Sequence, residues 1–203
     1  MIPLPYRPPT VAEHAAAAVA CQADGHAPWA VLVADMSRPD REPRLWAFDL
    51  SDPKHPQLLL RAKVEHGFGS SDPKNSDMAT RFSDVENSGM TSLGLYRVAD
   101  AYTGKNGASY RLQGLSATNA HAWDRDIDLH PSAYVTPTSI SHSAGCTAVA
   151  ASTLVALTRH FGTLTGALMW VDGPGVKPPT CQALQPWPQV KSGWWTSPRS
   201  CST

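Results

Sequence analysis

The sequence predicts a mainly β fold, a β-sandwich or mixed sheet with a few short helices. Short apolar runs recur between turns rich in proline, glycine and polar residues, which is typical of strands. Only two segments have the periodicity and end signals of a helix. With 203 residues, the chain is long enough for one domain with a sizeable core, alone or with an extension.

Two short helices are expected. The first follows a proline-rich start, because Thr10 and Glu13 have the spacing of a capping box and Gly25 is a plausible C-terminal stop. The second runs from about residue 151 to 161, where apolar side chains form one stripe and Gly162 ends the helix.

The strands are expected in the apolar runs between these helices and after them. Their ranges are 29–34, 44–50, 58–66, 92–102, 109–115, 127–130 and 166–171. The first run is apolar throughout, so it should be buried on both faces. Asn106-Gly107 favours a hairpin between the fourth and fifth strands. The polar stretch 67–89 is a long loop, and such loops are often functional.

The chain is expected to have three parts. Residues 1–27 form an extended segment and the first helix, and residues 28–172 form the main domain. Residues 173–203 form a tail with six prolines and three tryptophans, Trp187, Trp194 and Trp195. Proline lacks a ladder donor, so this tail should pack on the domain surface. Its tryptophans either cover exposed core or stack on sugars.

Composition excludes several classes of function. Seventeen basic and seventeen acidic residues leave no formal net charge, so no nucleic-acid partner is expected. No apolar run approaches the roughly 20 residues of a membrane span. The start of the chain shows no signal peptide, so the leader is removed or export uses another route. No phosphate-binding loop or dinucleotide fingerprint occurs, and no cofactor is expected.

Four cysteines are present, Cys21, Cys146, Cys181 and Cys201. If Cys146 is kept for catalysis, at most one intramolecular disulfide can form among the other three. Cys181 and Cys201 lie in the tail on either side of its three tryptophans and are the preferred pair. The alternative is that all four are reduced, and composition does not decide between the two.

Cys146 and His130 are the candidate catalytic pair. A thiolate is the useful nucleophile, and a nearby imidazole can take the thiol proton. Gly145 allows a sharp turn that brings backbone amides to a substrate carbonyl, while Ser143 and Ala144 keep the approach open. The spacing of sixteen residues is weak evidence by itself.

The chain resembles the murein L,D-transpeptidase catalytic-domain family, in the branch whose cysteine motif reads S-x-G-C. The resemblance spans roughly residues 29–171. It is carried, in order, by residues 64–70 (VEHGFGS), 81–84 (RFSD), 87–96 (NSGMTSLGLY), 102–107 (YTGKNG), 110–115 (YRLQGL) and 130–149.

The resemblance implies thioester chemistry on peptidoglycan stem peptides. Cys146 would attack the carbonyl of the third stem residue and expel D-alanine, with His130 as base and then acid. Amides around Gly145 and Cys146 would hold the oxyanion. A backbone carbonyl, not a carboxylate, would orient the imidazole. The protein would be a periplasmic or secreted monomer.

The sequence departs from the family pattern after the histidine. Pro131 stands where many members have glycine. The shape of the acceptor side, and with it the choice between transfer and hydrolysis, is therefore undetermined. His142 is a rival base, and His66 is either a pocket-lining or a structural residue. We also expect Tyr134, His66 and His142 to be candidates for substrate contact. A zinc site of Cys146, His130 and His142 is rejected because paired ligands are missing, so no metal is expected.

Four functions remain open. The first is transfer, forming 3→3 cross-links or attaching proteins to the wall through the cysteine thioester. The second is hydrolysis of the same acyl-enzyme, as an L,D-carboxypeptidase or endopeptidase. The third is a catalytically silent peptidoglycan-binding module, and the fourth a toxin delivered into a competitor's periplasm.

Overall fold

The computed structural model describes residues 28–52 and 56–176, and their strands form one mixed eight-stranded sheet. The strands are β1 (Ala30–Asp35), β2 (Leu45–Asp49), β3 (Gln57–Ala62), β4 (Gly94–Gly104), β5 (Gly107–Gly114), β6 (Asp128–Pro131), β7 (Thr147–Val149) and β8 (Leu168–Asp172). Their order is β3-β2-β1-β8-β4-β5-β6-β7. The β1–β8 and β6–β7 pairs are parallel and the others antiparallel. The predicted mainly β fold with a few short helices is confirmed.

Strand β1 lies at the centre of the core and is buried on both faces, as predicted. Leu32 belongs to the apolar cluster on one face, and Val31 and Val33 to the cluster on the other. Trp46 and Trp170, each almost fully buried, fill much of the second cluster. This alternation follows from the two-residue period of a strand.

Helix α1 (Ala151–Phe161) follows β7 and covers part of the first cluster. Leu154 and Leu157 are its buried residues. Gly162 ends it with a φ of 78°, and its N–H donates to the Thr158 carbonyl at 2.8 Å. Two single-turn 3₁₀ helices occupy Phe68–Ser70 and Ala117–Asn119.

Three strand predictions need correction. The third strand ends at Ala62 and not at residue 66, and the last begins at Leu168 and not at 166. The hairpin turn is tighter than predicted, because Gly104 pairs with Gly107 and only two residues connect them. Gly107 takes the left-handed φ of 97°, which glycine adopts without the steric cost of a Cβ. The three-residue β7 was not predicted.

The chain after β3 crosses to the opposite edge of the sheet. Val64 bridges Val149 of the edge strand β7, and the Glu65 N–H donates to the Ala148 carbonyl at 2.8 Å. Gly67 then bridges Ser143. The sheet is therefore curled, and residues 64–67 lie against the segment that leads to Cys146.

Several predictions fall outside the described residues: the first helix, the proline- and tryptophan-rich tail, and the pairing of Cys181 with Cys201. Within the described ranges, no helix is both long and apolar enough to cross a bilayer.

Candidate functional site

The two candidate catalytic residues lie in and directly before two neighbouring parallel strands. His130 lies in β6 and pairs in register with Ala148 of β7, and Cys146 directly precedes β7. Adjacent strands are about 4.8 Å apart, so the register brings the two residues to the same part of the sheet. The sixteen-residue spacing between His130 and Cys146 is therefore the connection from the end of β6 to the start of β7.

The Cys146 sulfur is fully buried beside the start of β6. The Asp128 N–H donates to Sγ at 3.2 Å, and the Asp126 carbonyl oxygen lies 3.6 Å from it. Cys146 is disulfide-bonded in this structure, so neither the condition that it is kept free nor the alternative that all four cysteines are reduced holds in this state. No other cysteine lies within the described residues. Nucleophilic chemistry at this position belongs to the reduced form.

The His130 imidazole is buried and oriented by a backbone carbonyl. Its Nδ1–H donates to the Pro131 oxygen at 2.8 Å, which leaves the lone pair on Nε2. Nε2 is buried and has no hydrogen-bond partner among the described residues. Burial lowers the pKa of His130 below 6.5. The ring is therefore neutral at pH 7 and able to accept a proton at Nε2.

Ser143 shapes the turn before Cys146. Its hydroxyl donates to the Cys146 carbonyl at 2.7 Å and accepts from the Gly145 N–H at 3.1 Å. Gly145 has a φ of 123°, a conformation that disfavours any side chain. Because Ser143 takes the Gly145 N–H, an oxyanion in this state would need another amide of the turn. The candidate role of Gly145 is therefore to form the turn, and that of Ser143 to hold it.

His66 lies in a buried polar network and not on a substrate surface. Its side chain is fully buried, Arg44 Nη2 donates to Nδ1 at 2.8 Å, and Nε2 donates to Ser71 Oγ at 3.0 Å. Burial and the Arg44 charge lower the pKa of His66 to about 3. Its carbonyl accepts from the Ser143 N–H at 2.9 Å. This burial favours the structural alternative for His66, and direct substrate contact by it stays an untested prediction.

His142 joins the same network through Asp40. Its Nε2 lies 3.1 Å from Asp40 Oδ2, and its ring packs against the His66 ring with centroids 4.5 Å apart. Burial raises the pKa of Asp40, while the Arg44 charge opposes the rise. His142 is a quarter exposed and its hydrogen bond is to Asp40. Tyr134 is 58% exposed, so contact with a substrate remains a prediction for it.

Asp40, His66 and His142 also have the composition of a metal site, with potential ligand atoms within 4.8 Å of one another. Both His66 nitrogens, however, are already engaged. A guanidinium stays charged, so Arg44 donates to Nδ1 and would repel a cation bound there. The hydrogen bonds and the Arg44–Asp40 charge pair account for the cluster, and we assign no metal to it.

A second group of hydrogen-bonded and charged side chains surrounds the buried Asp128. Its carboxylate accepts from Tyr102 and lies 3.7 Å from Arg111 Nε, and Arg111 also pairs with Asp126. Burial raises the pKa of Asp128 to about 6. Sequence reasoning missed these residues, although an aspartate two residues before the candidate base in a buried strand was a signal that could have found Asp128.

Replacing His66 with Gln should flatten the pH dependence of stability. Unfolded His66 binds a proton below about pH 6.5, whereas the folded ring stays neutral down to about 3. Stability from this group is therefore present above pH 6.5 and lost as the pH falls. The loss should be roughly 2–3 kcal/mol between pH 6.5 and 4.5. Urea unfolding at both pH values measures it.

The Gln variant is the matched comparison, because an amide can accept from Arg44 and donate to Ser71 without titrating. Asp40 and Glu65, whose pKa values burial raises, act in the opposite direction and are present in both proteins. A parallel loss of stability in wild type and variant would contradict a buried, neutral His66.

Solved structures similar to this chain include L,D-transpeptidases. The Xylanimonas cellulosilytica enzyme (residues 123–326) is 16% identical, with a TM-score of 0.43 over 70% of this chain and 60% of that chain. The Mycobacterium smegmatis L,D-transpeptidase is 12% identical, with a TM-score of 0.43 over 72% and 59%. The helical cell shape determining protein Pgp2 from Campylobacter jejuni is 11% identical, with a TM-score of 0.47 over 70% and 47%.

The chain thus spans about half to three fifths of the length of these structures. A search of the curated proteins finds no match. A family model described as the L,D-transpeptidase catalytic domain matches residues 7–165, well over half of the chain. This chain belongs to the L,D-transpeptidase catalytic-domain family.

Proposed function

We propose that this protein is an acyltransferase that acts on peptidoglycan stem peptides through a thioester on reduced Cys146. The observation that carries the proposal is the buried Nε2 of His130, which holds a lone pair on the strand next to β7, and Cys146 directly precedes β7. Membership in the L,D-transpeptidase catalytic-domain family supports the substrate class.

The first half-reaction transfers an acyl group to sulfur. His130 Nε2 takes the thiol proton, and the thiolate attacks the carbonyl of the third residue of a tetrapeptide stem. The C–N bond to D-alanine then breaks, and the imidazolium returns its proton to the leaving amine. The Asp128 N–H, which donates to Sγ at 3.2 Å, would stabilise the thiolate.

The second half-reaction regenerates the thiol. An amine of a neighbouring stem attacks the thioester, loses a proton to His130 and forms a new amide, and the sulfur recovers the proton. Transfer of this kind gives a 3→3 cross-link or attaches a protein to the wall. Because stem peptides lie outside the cytoplasmic membrane, the proposed location is periplasmic or extracellular, and the proposed form is a monomer.

Hydrolysis of the same thioester is the alternative outcome. Pro131 is well accommodated, since its carbonyl orients the base and its ring lies 3.5 Å from where a Cβ on Gly107 would be. The hydrogen bond to the Pro131 carbonyl supports a role for Pro131 in the proposed first half-reaction, in which it would orient the His130 ring. Analysis of muropeptides after incubation with sacculi separates the outcomes. New 3→3 dimers support transfer, whereas shortened stems without dimers support an L,D-carboxypeptidase.

Activity should depend on a thiol reductant. Cys146 is disulfide-bonded in the structure, and a disulfide sulfur cannot act as the thiolate nucleophile. Protein purified without reductant should form little adduct with imipenem, a β-lactam whose carbonyl acylates reactive thiols. Incubation with dithiothreitol should increase the adduct at least about 10-fold, as measured by intact mass.

This measurement also addresses the silent-module hypothesis. Reduced, folded protein that never forms an adduct on Cys146 would contradict the enzyme proposal and support a wall-binding module. Equal adduct formation with and without reductant would contradict the disulfide as an inactive state, while leaving the enzyme proposal intact.

A further inference from the structure

The buried guanidinium of Arg125 connects one loop of the protein to the turn before Cys146. Arg125 lies between the second 3₁₀ helix and β6, and its side chain is only 4% exposed. Among the described residues, the hydrogen bonds of the guanidinium go to the segment 83–92. Nη1 donates to the Ser83 carbonyl (3.0 Å), Asp84 Oδ1 (3.3 Å) and Ser92 Oγ (3.2 Å), and Nη2 to the Met90 carbonyl (2.7 Å) and Ser88 Oγ (3.5 Å).

The segment that Arg125 holds packs directly against Gly145. A Cβ on Gly145 would lie 2.8 Å from the Met90 carbonyl oxygen, 3.2 Å from Arg125 Nη2 and 3.3 Å from Ile127 Cδ1. The guanidinium and the carbonyl that it binds therefore form the wall behind the turn. Movement of this wall would change the position of the Gly145 backbone and of the nucleophile that follows it.

The chain that carries Arg125 also contacts the sulfur. The next residue, Asp126, places its carbonyl oxygen 3.6 Å from Cys146 Sγ, and the Asp128 N–H donates to Sγ. Asp126 has a φ of 55°, a left-handed value that is uncommon outside glycine. Arg125 therefore lies between two elements that touch the cysteine and its turn.

The charge of Arg125 is balanced locally. Asp84 Oδ1 lies 3.3 Å from Nη1, and Oδ2 of the same carboxylate accepts from the His121 N–H at 2.7 Å. The carboxylate therefore offsets part of the guanidinium charge. The planar guanidinium donates to several acceptors at once, and a lysine ammonium cannot reproduce this geometry.

We propose that Arg125 is a positioning residue for acyl transfer: its fork holds segment 83–92 against Gly145 and thereby fixes the turn that presents Cys146. The proposal rests on the proposed function. A displacement of reacting groups by about 1 Å can lower a rate by about 100-fold, so a residue of this kind acts on rate more than on binding.

The test compares Arg125→Lys and Arg125→Met with wild type, all reduced, in stopped-flow acylation by imipenem. Active-site titration and circular dichroism give the folded, reactive fraction for each protein. Per folded molecule, we expect the limiting acylation rate to fall about 10- to 100-fold in both variants, while the half-saturating concentration changes less than about 3-fold.

Arg81→Lys is the matched control. Arg81 belongs to the same long loop, but its side chain is exposed and its guanidinium donates to the Ser71 carbonyl at 3.0 Å. Its rate should stay within about 2-fold of wild type.

Two results would overturn the proposal. One is a wild-type rate per folded molecule in both Arg125 variants, which would make Arg125 purely structural. The other is a normal rate in Arg125→Lys with a loss only in Arg125→Met, which would assign the effect to charge. If wild type itself is not acylated, the proposed function fails, and that outcome is separate from either of these.

Discussion

Replacing Cys146 with Ala should abolish acyl transfer while the fold is retained. Without the sulfur no thioester can form, so we expect activity on sacculi to fall by about 10⁴-fold or more and no imipenem adduct to appear. Alanine fits the buried position, where cysteine behaves as a small apolar residue. Mass spectrometry of the protein and of the released muropeptides gives both readouts.

Cys21→Ala, assayed with reductant present, is the matched control for the loss of one thiol. It should react as wild type does, because the reduced state makes the disulfide irrelevant to the assay. Full activity in Cys146→Ala would mean that the proposed chemistry is wrong.

Replacing His130 with Asn should produce the second largest loss. Asn cannot take the thiol proton, and general base catalysis typically contributes about 10²–10⁴-fold, so we expect the acylation rate to fall by that amount. In wild type, burial lowers the pKa of His130 below 6.5, so the rate should decline only at pH values below 6.5. The variant should lack this acidic limb.

Two further histidine variants make the experiment specific. His160 lies on α1, where its Nε2 forms a hydrogen bond with Asp49 Oδ2 at 2.6 Å. Because this contact involves neither Cys146 nor His130, His160→Asn should leave the rate unchanged. His142→Asn tests the rival base. A larger loss in His142→Asn than in His130→Asn would transfer the base assignment to His142, against the Asp40 hydrogen bond seen here.

Local sequence patterns were sufficient for most of the fold. Strand β1 and helix α1, which Gly162 terminates, are each formed by one contiguous segment. Their hydrophobic periodicity and terminating residues therefore predicted them. Strand β7 has only three residues, too few for a period to be recognised. Its existence depends on pairing with β6 and on the bridge from Val64, which are contacts between distant parts of the chain.

The candidate site likewise has one part that the sequence predicted and one part that only the structure revealed. The sequence singled out Cys146 and His130, and the pairing of β6 with β7 brings His130 in β6 near Cys146, which directly precedes β7. It also anticipated a backbone carbonyl as partner of the imidazole, which is Pro131. The sequence left the role of His66 open, because the residues adjacent to a histidine in sequence do not determine whether its side chain is buried.

By itself, the sequence determined most of the strands, the family and the pair of residues that carries the proposed chemistry, because these are encoded in short contiguous segments. Only the tertiary structure decided the surroundings of that pair. Asp40 meets His142 across 102 positions, and Arg125 meets Ser83 across 42. Contacts between positions so far apart leave no local period, since they form only when the curled sheet brings its edges and loops together.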